Sequence, residues 1–120
     1  MKLRYFEPHE FACRCGCGKG MADMDETLLA LLDELRKRVG RPLVVNSAAR
    51  CSSWNSKVGG TTGSAHCRGF AVDISCRDPE LRLLIVKEAL GVGFCRIGVA
   101  EAFIHLDIDP DKPQGILFRY

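Results

Sequence analysis

The chain has 120 residues and a formal net charge of +2 at neutral pH. That length lies in the single-domain range and can bury a modest core, so residues 1–120 are expected to form one domain. A charge so close to zero implies no nucleic-acid partner. The start, Met1 to Glu7, lacks the apolar stretch of a signal peptide, and no apolar run approaches the roughly 20 residues needed to cross a bilayer. The expectation is a soluble monomer made in the cytoplasm without an ordinary export signal.

In chain order, the Cys/Gly-rich segment to about Gly20 reads as an irregular arm. Asp25 to Val39 reads as a helix with an apolar stripe through Leu28, Leu29, Leu32 and Leu35. Its first turn is acidic, its last carries Arg36, Lys37 and Arg38, and Gly40 and Pro42 stop it. Leu43 to Asn46 looks like a buried strand, and Ser52 to Gly63 like a short helix and loop. Phe70 to Ile74 is a strand-like run, and Pro79 to Leu90 a second helix entered through Asp78-Pro79 and closed at Gly91. Cys95 to Val99, Phe103 to Ile108 and Ile116 to Phe118 are the remaining strand candidates. The plan is α+β: a small, mostly antiparallel sheet flanked by two main helices.

The chemistry concentrates in Ser64-Ala65-His66-Cys67-Arg68-Gly69-Phe70-Ala71-Val72-Asp73-Ile74 and in Phe103-Ile104-His105-Leu106-Asp107. Period-two alternation sends Phe70, Val72 and Ile74 to one face and Ala71 and Asp73 to the other. In the second strand it separates Ile104, Leu106 and Ile108 from His105, Asp107 and Asp109. If the strands pair, Asp73 and His105 share a face, and His66 reaches it from the turn. Two imidazoles and one carboxylate make a three-ligand set that leaves a fourth zinc position for water, which distinguishes a catalytic site from a closed structural one. His9, in Glu-Pro-His-Glu, has no such partners and reads as a surface residue.

The pattern SxHxxGxAxDI followed by a distant HxD resembles the zinc D-alanyl-D-alanine carboxypeptidases and related peptidoglycan peptidases, whose fold and metal set hedgehog domains share. Asn46-Ser47-Ala48-Ala49-Arg50-Cys51, Asn55 and Lys57-Val58-Gly59-Gly60 are similar to the segment before the first ligand in small phage- and prophage-type members, as is Phe11-Ala12-Cys13-Arg14-Cys15-Gly16-Cys17-Gly18 to their start. The resemblance implies one catalytic zinc ion on His66, Asp73 and His105, and a water nucleophile cutting peptidoglycan stem peptides at or beside D-alanine. As carboxypeptidase or endopeptidase, such a protein would act on the wall after lysis or phage delivery. It also implies Arg50 as a substrate anchor. Ser64, two residues before the first histidine, is read as a partner of substrate backbone or of the ligands. The general base of those relatives often lies three residues before the second histidine. Here that residue is Ala102 and the nearest acid is Glu101, so Glu101 is the expected base. Asp107 is the other candidate, read first as a group that orients a ligand imidazole. Two further classes stay open: a zinc-bearing module that binds without catalysis, and a structural phage component.

Seven cysteines remain. An odd count leaves at least one thiol unpaired, and the absence of a signal peptide favours reduced thiols during synthesis. Cys13, Cys15 and Cys17 do not follow the usual C-x-x-C knuckle. Disulfide pairing of the arm with Cys51 and a second metal site both stay open.

Overall fold

The computed structural model describes residues 1–120. Short 3-10 turns, Pro8–Phe11 and Met21–Asp23, interrupt the N-terminal arm. The first helix, α1, spans Glu26–Val39. The Asp25 carboxylate caps it by accepting from Leu28 N at 3.1 Å, and Gly40 ends it in the left-handed region at φ 70°. Strand β1, Val45–Ser47, is followed by α2, Ser52–Lys57, and a 3-10 turn at Ala65–Arg68. Then come β2, Ala71–Ser75; α3, Pro79–Val92; β3, Arg96–Val99; β4, Phe103–Asp107; and β5, Ile116–Arg119. No helix is long and apolar enough to cross a membrane.

The five strands form one sheet in the order β1-β2-β4-β3-β5, antiparallel throughout except for the parallel pair β3–β5. Helices α1 and α3 cover one face. Leu28, Leu32 and Leu35 of α1 and Ile85 and Ala89 of α3 share a core with Val72, Ile74, Ile97, Ile104 and Leu106 of the sheet. This is the expected α+β arrangement, with helices segregated to one side of an antiparallel sheet.

Four sequence expectations shift. The first strand is Val45–Ser47 rather than the buried run Leu43 to Asn46, and Val44 and Asn46 are exposed. The second helix does not close at Gly91 but runs to Val92 and ends at Gly93, φ 123°. The fully buried Phe94 follows, its N–H bonded to Ala89 O at 2.9 Å, and this anchorage outweighs the roughly 1 kcal/mol that a mid-helix glycine costs. Phe70 lies before β2 and is only half-buried, so Val72 and Ile74 alone represent that strand in the core. The arm is irregular as expected, yet it is not peripheral: Leu3, Phe6, Phe11 and Cys13 are all buried.

Candidate metal centre

The sheet's second face carries the polar residues. Register places Asp73 of β2 directly opposite His105 of the central strand β4, and Gly98 of β3 opposite His105 on the other side. Asp73, His105, Asp107 and Asp109 are nevertheless buried, as is His66. Burying so many ionisable groups is costly unless they pair or bind a metal.

His66 arrives on the Ala65–Arg68 turn, where Ser64 Oγ accepts from His66 N at 3.2 Å. Gly69 closes the turn at φ 80°, and a Cβ there would meet Asp23 O at 2.2 Å, so both the conformation and the close approach require glycine. The Nδ1–H of His66 donates to Ala48 O at 2.9 Å. Its Nε2 is buried and has no hydrogen-bond partner, lying 3.2 Å from Asp73 Oδ2.

His105 faces a carboxylate with each nitrogen: Nδ1 lies 2.9 Å from Asp73 Oδ1, and Nε2 lies 2.5 Å from Asp107 Oδ2. Burial alone would lower its pKa, but these two carboxylates raise it. Burial likewise favours protonated Asp73, yet the hydrogen bond to His105 and the nearness of His66 hold its pKa down to about 2. Asp107 is also lowered, burial being outweighed first by His105. Without a metal, the two carboxylates that clamp His105 favour its imidazolium form.

The donor atoms of His66, Asp73 and His105 all lie within 4.8 Å of one another. The buried His66 Nε2, which has no hydrogen-bond partner and faces the Asp73 carboxylate, tests whether the site suits a cation, and it does. Two imidazoles and one carboxylate suit zinc, and the same set can also hold iron. The contacts of His66 with Ala48 and of His105 with Asp107 are the outer hydrogen bonds that fix ligand tautomers at metal sites.

Arginines hold the carboxylates. Arg50 is buried, and its Nε, Nη1 and Nη2 reach Ser47 Oγ at 3.0 Å, Asn55 Oδ1 at 3.2 Å and Asp73 Oδ2 at 3.3 Å. Arg96 Nε donates to Asp107 Oδ2 at 3.0 Å. Arg68 pairs with Asp109 and, at 2.9 Å, with Asp111, tying the turn that carries His66 to the segment after β4.

Two adjoining depressions sharing Gly59, Gly60 and Tyr120 open beside the centre. One, of about 340 Å³, is lined by Ser64, His105, Asp107, Arg96, Lys112 and Arg119 among others. The second includes Arg50, Trp54 and Asp73. Tyr120 and Phe118 flank His105, their ring centroids 5.3 and 5.9 Å from the imidazole. A Cβ on Gly98 would lie 2.6 Å from Phe118, so that glycine admits the aromatic wall.

The structure thus brings His66, Asp73, His105, Arg50, Ser64 and Asp107 to one site. Glu101 is not among them: it sits exposed in the turn between β3 and β4 and lines neither depression. Four positions along the chain from His105, it is carried to the end of the hairpin rather than over the cleft. Sequence reasoning missed Arg68, Arg96, Phe118 and Tyr120. The shared face of Asp107 and Asp109 signalled a need for cations there, but nothing local identified which arginines supply them.

An α+β fold whose polar sheet face presents two imidazoles and a carboxylate beside an open cleft offers a metal centre within reach of a substrate. The sequence profile of the peptidase M15 family matches residues 4–107. The chain belongs to that family, whose peptidases are metal-dependent. A search of curated proteins found no match.

Proposed function

We propose that this protein is a zinc peptidase that hydrolyses peptidoglycan stem peptides at or beside D-alanine, with one catalytic zinc ion on His66, Asp73 and His105. The observation that carries this reading is the buried, unpartnered His66 Nε2 converging with Asp73 and His105 beside a cleft, in a chain of a peptidase family. When bound, zinc supplies a Lewis acid that polarises a carbonyl and brings the pKa of water to about 7.

The remaining chemistry belongs to the chain. Arg50 holds Asp73 in place, and with three of its five N–H donors committed it keeps two to meet a substrate carbonyl or carboxylate. Ser64 fixes the turn that carries His66 and lines the cleft. Lys112, Arg96 and Arg119 along the same depression suit the free carboxylates of a stem peptide. Proton transfer to the leaving amine needs a carboxylate within reach of the scissile bond. We assign it to Asp107, the cleft carboxylate outside the ligand set, rather than to Glu101 on the exposed hairpin.

A second reading, a zinc module that binds wall fragments without cutting them, is favoured by one observation. Both oxygens of Asp107 already accept hydrogen bonds, from His105, Arg96 and Asp109 N. Mass spectrometry of muropeptides incubated with zinc-loaded protein decides between the two. Chelator-sensitive loss of a terminal D-alanine identifies a carboxypeptidase, and loss of cross-linked dimers an endopeptidase. Unchanged muropeptides across several wall types overturn the peptidase reading. At saturating zinc, Asp107→Asn should lower turnover at least 100-fold, while Glu101→Gln leaves it near wild type; the reverse pattern makes Glu101 the base.

A further inference from the structure

A second constellation lies outside the catalytic centre. Cys13, Cys15 and Cys17 come from the N-terminal arm, and Cys51 stands at the cap of α2. Their sulfurs all lie within 4.8 Å of one another. Cys13 and Cys15 are separated by 3.4 Å, Cys15 and Cys51 by 3.6 Å, and Cys13 and Cys51 by 3.9 Å. No cysteine of the chain is bridged, and these separations far exceed the roughly 2.05 Å of a disulfide. They match a different object: four thiolates about 2.3 Å from a tetrahedral zinc ion stand about 3.8 Å apart.

Apolar packing does not account for the cluster. Cys15 and Cys17 are exposed, and thiols are weak hydrogen-bond donors and acceptors, so bringing four together gains little without an ion. The backbone is shaped for it instead. Gly16 and Gly18 take positive φ, 80° and 95°, and turn the chain so that alternate cysteines converge. Cys13 N and Lys19 O close this loop at 2.8 Å. Backbone N–H groups reach two of the sulfurs: Cys51 N to Cys13 Sγ at 3.5 Å and Trp54 N to Cys51 Sγ at 3.4 Å. Such donors stabilise thiolate over thiol.

We propose that Cys13, Cys15, Cys17 and Cys51 bind a second zinc ion as a closed tetrathiolate, separate from the catalytic centre and structural in role. Four thiols lose their protons as the ion binds, and no coordination position is left for water or substrate. The C-x-C-x-C spacing departs from the C-x-x-C knuckle, and the two glycines supply the curvature that the extra residue of a knuckle normally provides. The site pins the arm to the segment that begins at Arg50, the residue before Cys51 and the one that holds Asp73. Arg14, between two of the ligands, reinforces the attachment by donating to Val45 O at 2.8 Å.

The test uses the full chain purified under reducing conditions. A His66→Ala/His105→Ala double variant, in which the catalytic centre cannot form, should retain one zinc equivalent. Its X-ray absorption should show only sulfur neighbours at about 2.3 Å, and its cobalt form the charge-transfer absorption of thiolate ligands. If that variant does not fold, the wild type should hold two zinc equivalents with a mixed nitrogen/oxygen and sulfur shell. Cys17→Ser, at an exposed position the fold tolerates, should weaken retention at this site at least 10-fold and lose the four-sulfur shell; Cys95→Ser, exposed and outside the cluster, should change neither. A zinc-loaded wild type without sulfur ligands, a disulfide among the four cysteines in the folded protein, or a Cys17→Ser spectrum identical to wild type would each overturn the proposal. None of these readouts depends on whether a wall peptide is cut.

Discussion

His66 and His105 meet the cleft through different nitrogens, and the reason lies in their outer partners. Ala48 O occupies Nδ1 of His66, while Asp107 occupies Nε2 of His105. His105 therefore has to give up its Nδ1 proton before it can ligate, and pH enters through that proton. In the metal-free protein its pKa is raised above 6.5, so the stability from its two carboxylate contacts is fully present below about 6.5 and is lost as pH rises through the raised value. Asp73 has the opposite sign: its contribution is present above 3.8 and is lost as pH falls toward about 2. Thermal melts of chelated protein should accordingly show the highest Tm between about pH 4 and 6.5, with metal affinity climbing above that window. A metal-free Tm that rises from pH 6 to 8 would contradict the clamped imidazolium. Arg50 belongs to the same scale. Lysine keeps the charge but cannot reach Ser47, Asn55 and Asp73 together. Arg50→Lys should cost about 10- to 100-fold in zinc affinity, measured by competition with a chromophoric chelator; unchanged affinity would mean that Asp73 needs no such brace.

At the scale of elements, β4 decides the site because it is the central strand and both neighbours meet it at His105. Asp73 comes from one side and Gly98 from the other. Gly98 works by what it lacks. Phe118 and Tyr120 of the C-terminal segment lie over it, within 2.6 to 3.0 Å of where a Cβ would stand, and next to His105. Gly98→Ala should push this wall outward, lowering kcat/KM by about tenfold or more with zinc affinity within a factor of a few of wild type. Loss of zinc and activity together would show instead that the alanine disturbs the ligands.

Across the whole molecule, the centre joins segments distant in sequence: the turn at His66, β2 and β4. A ligand held at a thousand times its Kd stabilises the folded state by about 4 kcal/mol, and for a domain of this size that corresponds to a Tm shift on the order of 10 °C. Chelation, which strips this centre and the proposed cysteine site together, should lower the Tm by at least that order and zinc should restore it, as read by calorimetry; a Tm indifferent to both would mean that the folded chain holds no metal tightly.

Strand and helix periodicity is local, and it was enough to foretell α1 with its stop at Gly40, the α+β class, and the face shared by His105 and Asp107. The candidate donors were equally legible, because two imidazoles and a carboxylate stand amid apolar alternation where burial would otherwise be costly. Register, packing and end effects are not local. Nothing within Pro79 to Gly93 announced that a buried Phe94 would carry α3 past Gly91. Within Ala100 to Phe103 a solvated turn and a carboxylate leaning over the metal read equally well for Glu101, and the hairpin decided for solvent. Only the assembled sheet set Arg50 behind Asp73, Arg96 beside Asp107 and the last strand's aromatics against His105, because a long side chain finds its partner by where the backbone carries it. The sequence by itself determined which atoms could bind a metal; the tertiary structure decided which of them converge and what holds them there.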